Sequence, residues 1–163
     1  DSVEDIMATA QTKKETKAME ATTLLRADHK LVADLFDQFE ATRSSAKKKT
    51  LAAEICNELT IHARIEEEIF YPAVKEALKD KELIPEATVE HATLKNLIAE
   101  IQDDDSGDEM WEAKVKVLGE YVQHHVKEEQ NEIFPKAKST KLDMKELGAL
   151  MAERKEELMA ENA

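Results

Sequence analysis

Apolar residues recur along this chain at steps of three and four, the period of a helix that buries one face. Leu25, His29, Val32, Phe36 and Phe39 follow steps of 4, 3, 4 and 3, which predicts a first helix over residues 21–42. Ser44 and Ser45 break the pattern and can cap a second helix over 46–79. Its stripe runs Ala52, Ile55, Leu59, His62, Glu66, Ile69, Ala73. Pro72 falls inside that stretch and lacks a backbone donor, so a kink or a loosening near Glu68 is expected. A break at 80–83 and Pro85 announce a third helix carrying Ile84, Ala87, His91, Leu94, Ile98 and Ile101. The run DDDSGD at 103–108 reads as a loop, with Asp108 placed to cap a fourth helix. That helix has the stripe Trp111, Val115, Leu118, Val122, His125, Glu129, and Pro135 lies near its end. Residues 141–161 form a fifth amphipathic segment through Met144, Leu147, Met151 and Leu158. Residues 1–20 have few large apolar side chains and are expected to form an arm or a weakly docked helix.

The connections between the four long helices are short, so consecutive helices must run antiparallel. The prediction is an all-α protein: an up-down-up-down antiparallel four-helix bundle over 21–138, with an N-terminal arm at 1–20 and an extra C-terminal helix at 141–161 packed on or beside the bundle. Heptad-like spacing also suits a coiled coil, but such short connections permit only antiparallel neighbours. Composition agrees: 3 Gly and 3 Pro in 163 residues leave few interruptions, and runs of β-branched or aromatic residues are absent. The length suits one domain with a sizeable core.

Charge narrows the partners. With 36 acidic and 23 basic residues the net charge is −13, which repels phosphate backbones, so no nucleic-acid partner is expected. No apolar run approaches a membrane span, so no membrane partner is expected either. Cys56 stands alone and suits a reducing compartment, so the expected location is cytoplasmic. The chain begins at Asp1 rather than Met, which leaves a removed leader open.

The chemistry lies on the stripes. His62 and Glu66 are four apart, one helical turn on the same face, and can grip a transition metal together. The pair recurs 63 residues later as His125 and Glu129, and Pro72 recurs as Pro135. Upstream, His29 recurs 62 residues later as His91, within DHKLVADLF and EHATLKNLI. The chain is two copies of one unit, a helix with His followed by a helix with His-x-x-x-Glu. One stripe histidine is more often a hydrogen-bonded core residue than a ligand. Four in a two-fold pattern, two with Glu at the next turn, point to a metal site, and four His with two Glu suit two ions better than one. Iron, manganese and zinc all accept mixed His and carboxylate ligation. Ferritin-like bundles use Glu-x-x-His; Arg26, Leu59, Thr88 and Val122 stand three residues before these histidines, so this chain is not of that type.

His29, His62-x-x-x-Glu66, His91 and His125-x-x-x-Glu129, with FYP and FP after the two pairs, resemble the hemerythrin family in its broad HHE cation-binding branch over residues 22–138. The resemblance implies a non-haem di-iron site inside a four-helix bundle, with Glu66 and Glu129 bridging two iron ions and an oxo or hydroxo group completing the bridge. It makes manganese or zinc less expected than iron. It also implies a small-molecule ligand: dioxygen, hydrogen peroxide or nitric oxide. Oxygen-carrying members have a fifth histidine at the irons, from a His-x-x-x-His pair on the third helix. Here Ala87 and Lys95 flank His91 at that spacing, and His124 is off the stripe. A reactive site is therefore expected rather than a protected oxygen carrier, with a further carboxylate or solvent in the gap.

Glu58 and Tyr121 each lie four residues before a stripe histidine, at matching places in the repeat. They are candidates for the site, Tyr121 to hydrogen-bond a bound peroxide or a metal ligand and Glu58 to supply an extra ligand, against ordinary packing or surface exposure. Glu67, Glu90 and Glu128 are adjacent to ligands and point about 100° away, so they read as a solvated face. Two other functions stand beside reaction with a small oxidant: storage or buffering of iron or another cation, and sensing through the terminal segments.

Overall fold

The computed structural model describes residues 19–162, so most of the arm expected over 1–20 lies outside the described residues. Helix α1 spans Ala21–Ala41 and α2 spans Ser45–Ile65. A π-helical turn at Glu66–Phe70 joins α2 to α3, Tyr71–Leu78. Helix α4 spans Leu83–Asp103 and α5 spans Glu109–Glu128. A second π-helical turn at Glu129–Ile133 joins α5 to α6, Phe134–Lys138, and α7 spans Met144–Glu161. The described residues are thus all helical, in seven α-helical segments that the π turns link into five rods.

The helix ends follow the expected chemistry. Ser44 accepts from the Lys47 N–H at 3.2 Å, and Asp108 from the Trp111 N–H at 2.9 Å. Asp143 caps α7 through the Glu146 N–H at 3.0 Å. Lys79 turns left-handed at φ 52 to end α3. Asp80 then accepts from the Leu83 and Ile84 N–H groups, which starts α4 with Pro85 in its first turn.

The prolines give a sharper result than a kink. The N–H of Tyr71 reaches back five residues to the carbonyl of Glu66, and the N–H of Phe134 reaches back five to that of Glu129. Each helix widens by one residue between the glutamate and the proline. The proline ring crowds the carbonyl four residues back, and a wider turn relieves that crowding.

Helix α1 packs along α2, α4 along α5, α2 against α4 and α1 against α5. Helix α7 lies across α1, α2 and the first π turn. Two apolar clusters fill the interior. One gathers Leu25, Ile61, Ile65, Phe70, Phe134 and Met151; the other gathers Val32, Ile55, Ile98, Trp111, Val115 and Leu118. His29 falls between Leu25 and Val32 on α1, so the histidines and glutamates form a polar layer between two dry ones. No described helix is long and apolar enough to cross a membrane.

Candidate metal centre

The stripes bring His29, His62, Glu66, His91, His125 and Glu129 into one buried cluster. Glu66 and Glu129 are 0% exposed. Carboxylates at that depth are costly without a cation or a full set of hydrogen bonds. Glu66 Oε1 lies 3.1 Å from His62 Nε2 and 3.3 Å from His91 Nε2. Glu129 Oε1 lies 3.0 Å from His29 Nε2, and its Oε2 lies 3.3 Å from His125 Nε2. Each carboxylate therefore touches one histidine from each half of the chain.

These contacts are not a set of satisfied hydrogen bonds. His29 Nε2, His62 Nε2, both oxygens of Glu66 and Oε1 of Glu129 are buried without a hydrogen-bond partner. Unsatisfied buried polar atoms are rare and costly. Donor atoms on a metal with bonds of about 2.1 Å at right angles stand about 3.0 Å apart, the spacing seen here. Two overlapping donor sets are present, Glu66, His91, His125, Glu129 and His29, His62, Glu129, each with ligand atoms within 4.8 Å. The residues fit a pair of cations in the polar layer.

Every histidine of the cluster turns Nε2 inward and holds Nδ1 outward on a fixed acceptor. His29 Nδ1 meets Gln130 Oε1 at 2.8 Å, and His62 Nδ1 meets Asp28 Oδ2 at 2.9 Å. His91 Nδ1 meets Glu67 Oε2 at 3.1 Å, and His125 Nδ1 meets Glu90 Oε1 at 2.9 Å. Such partners set the tautomer and ring orientation of a metal-binding histidine. The four partners come from two repeat positions, Asp28 with Glu90 and Glu67 with Gln130. Glu67 and Glu90 are thus half-buried and engaged across helix interfaces, not on the solvated face expected of them. Lys95 pairs with the other oxygen of Glu67 at 2.5 Å.

Without a metal, the carboxylates hold protons on two of the imidazoles. Burial pulls His62 down, but the charge of Glu66 and the hydrogen bond to Asp28 outweigh it and keep His62 well above its ordinary value. Burial likewise opposes a charged His125, but Glu129, Glu66 and Glu90 push it up to about 9.

Tyr71 is the residue that helical spacing did not single out. Its buried hydroxyl donates to Glu129 Oε2 and lies 3.2 Å from His125 Nε2 and 3.4 Å from His91 Nε2. Burial, then the charges of Glu66 and Glu129, raise its phenol well above the usual value. Tyr71 is five residues beyond Glu66, far from it on a regular wheel; the π turn brings it to the site. The matching position in the second half is Phe134, which stacks on His29 with ring centres 5.8 Å apart and planes 2° from parallel.

Tyr121 is 50% exposed, and Glu58 is half-buried near Lys155, Asp28 and Glu54. Among the described residues neither hydrogen-bonds to a member of the cluster. His125 lies in the cluster, while His124 is on the surface, 3.2 Å from Glu128.

A cavity of about 40 Å³ adjoins the four histidines of the cluster, walled by Val32, Leu59, Leu94, Ile98 and Val126. That is room for about three waters. A larger hollow of about 290 Å³ between α1 and α5 shares His29, Val122 and Val126 with it.

Comparison with known proteins agrees with this geometry. Residues 20–137 match the model of the hemerythrin HHE cation binding domain. The chain superposes with TM-score 0.73 on the crystal structure of a hemerythrin HHE cation binding domain-containing protein from Mycobacterium kansasii, at 26% identity, covering 88% of this chain and 89% of that one. It is also 27% identical over 111 residues to a DNA nickase of Nostoc sp., covering 68% of this chain but 31% of that protein. The chain thus spans about a third of the length of that curated relative.

Proposed function

The chain belongs to the hemerythrin HHE cation-binding family, and from that premise we propose that it is a non-haem di-iron protein that binds or reacts with a small oxidant: dioxygen, hydrogen peroxide or nitric oxide. In this reading the four long helices form an up-down-up-down bundle around the site, and the protein works in the cytoplasm. The observation that carries it is the set of buried, inward-facing nitrogens and carboxylate oxygens without hydrogen-bond partners, set beside a small apolar cavity.

The Nε2 atoms of His29, His62, His91 and His125, with the carboxylates of Glu66 and Glu129, would hold the two ions. Bound iron would supply the redox equivalents and open coordination positions. The chain's own residues do the rest. Asp28, Glu67, Glu90 and Gln130 fix the rings. Tyr71 keeps a phenolic proton at Oη beside Glu129, where it can hydrogen-bond a ligand. Phe70 and Phe134 exclude water from one side. The cavity walls admit a neutral molecule of two or three non-hydrogen atoms and disfavour larger or charged ones. The acidic exterior does not repel such molecules.

Metal analysis, an optical spectrum and a peroxide assay test this together. Two irons per chain with near-ultraviolet charge-transfer bands are expected. Peroxide should be consumed faster than by free iron at equal concentration, and Glu66→Ala should lose the effect. A spectral change on oxygenation that persists for hours, without peroxide turnover, would replace this reading with reversible oxygen binding. Metal bound and released without turnover would replace it with cation storage or sensing.

A further inference from the structure

The second half of the chain carries the His-x-x-x-Glu spacing twice, one residue out of phase. In HHVKEE, His125 and Glu129 face the interior, while His124 and Glu128 occupy the next face of α5. The positions 63 residues earlier are Ile61 and Ile65, buried in the apolar cluster that α7 helps to close. His124, by contrast, is 63% exposed at its side chain.

The outer carboxylates differ in the same way. Asp28 accepts from His62 with one oxygen and meets Lys155 Nζ of α7 with the other, at 2.5 Å. Glu90, its counterpart, accepts from His125 with Oε1, and its Oε2 stands 3.8 Å from His124 Nε2. Glu128 Oε1 stands 3.2 Å from the same nitrogen. Among the described residues no lysine or arginine pairs with Glu90 or Glu128. Two carboxylate oxygens and an imidazole nitrogen from two helices thus converge within 4.8 Å, where the other half places an ammonium.

We propose that Glu90, His124 and Glu128 form a peripheral site for a divalent transition-metal cation, which takes in the second half the place that Lys155 takes in the first. One imidazole with two carboxylates suits zinc, manganese or ferrous iron. Three protein ligands leave the remaining positions to water. The ligands are partly exposed, so desolvation costs little and the affinity is weaker than that of the buried cluster. Occupancy draws electron density from Glu90, the acceptor for His125 Nδ1, and so links a surface cation to the buried ligands. The proposal does not depend on which metal, if any, fills the interior.

Calorimetric titration with zinc chloride tests it on the wild type, His124→Ala, Glu128→Gln and Glu66→Ala. The wild type should show one weak equivalent beyond those of the buried cluster. His124→Ala and Glu128→Gln should weaken that equivalent by about tenfold or more while leaving the buried ones intact, and Glu66→Ala should do the reverse. If zinc fails to enter the buried cluster, a weak equivalent dependent on His124 still supports the peripheral site. Coincident isotherms for the wild type, His124→Ala and Glu128→Gln would overturn it.

Discussion

Helices α1 and α2, under α7, and helices α4 and α5 bury their histidines alike but back them differently. Asp28, behind His62, is 5% exposed and neutralised by Lys155, whereas Glu90, behind His125, is 30% exposed and, among the described residues, shares its free oxygen only with His124. His29 lies flat against Phe134, while His91 and His125 face the hydroxyl of Tyr71. The repeat duplicated the ligands without duplicating their surroundings. Two ions held as proposed should therefore differ in affinity, in electrostatics and in the proton donors at hand.

The strongest way to break the comparison is to remove what the halves share. Glu66→Ala or Glu129→Ala should cost at least one metal per chain, because each carboxylate touches a histidine of each half. Retention of two metals in both variants would sink the shared-carboxylate assignment. Next, His125→Ala should lose metal from the α4–α5 half while His124→Ala keeps the buried metal; elemental analysis that reversed the two would shift α5 by one residue.

The pH response sharpens the contrast between metal-free and metal-loaded protein. His125 sits at about 9 when folded, above its unfolded value of about 6.5. Its contribution to the stability of the metal-free protein is full below about pH 6.5 and is lost as pH rises through about 9. Metal binding needs neutral histidines, so its stabilisation grows over the same window. The gap between the two melting temperatures should widen from pH 6.5 to 9; a constant gap would contradict a protonated His125 in the metal-free protein.

Two smaller changes make the halves more alike. Tyr71→Phe copies the Phe134 side onto the Tyr71 side. It should retain both metals but alter the optical spectrum and the peroxide rate, by about tenfold if the phenol acts as other supports of metal ligands do. Identical spectra and rates would leave Tyr71 as packing alone. Lys155→Met uncovers Asp28 and should weaken metal at His62 by up to about tenfold, with Lys155→Arg restoring it. It should also cost about 1–3 kcal/mol of fold stability in a denaturant melt, since Asp28 is 5% exposed and loses a partner.

The stripes made the helices and their caps at Ser44 and Asp108 legible in the sequence, and the offsets of 62 and 63 made the six-residue cluster legible too. Both rest on the 3.6 period. The supports were less legible because they reach across helix interfaces, which a single-helix wheel does not contain. Glu67 points away from Glu66 on its own helix and straight at His91 on α4. Tyr121 shows the converse: a place one turn before His125 on the same helix is near the solvent edge. Tyr71 was hidden by the π turn, which shifts every later residue on the wheel.

That shift makes each long rod a text read in two frames. Residues up to Glu66 and residues from Tyr71 onward keep time with different clocks, about 100° apart. Deleting one residue between them would restore the regular helical period on either side of Pro72. It would also swing Tyr71 off the cluster and turn Phe70 and Val74, both fully buried, out of their sockets. Even then Pro72 would leave the ladder interrupted, since it has no N–H to offer a regular turn. The spacing from glutamate to proline therefore works as a ruler, and the same ruler is laid down twice.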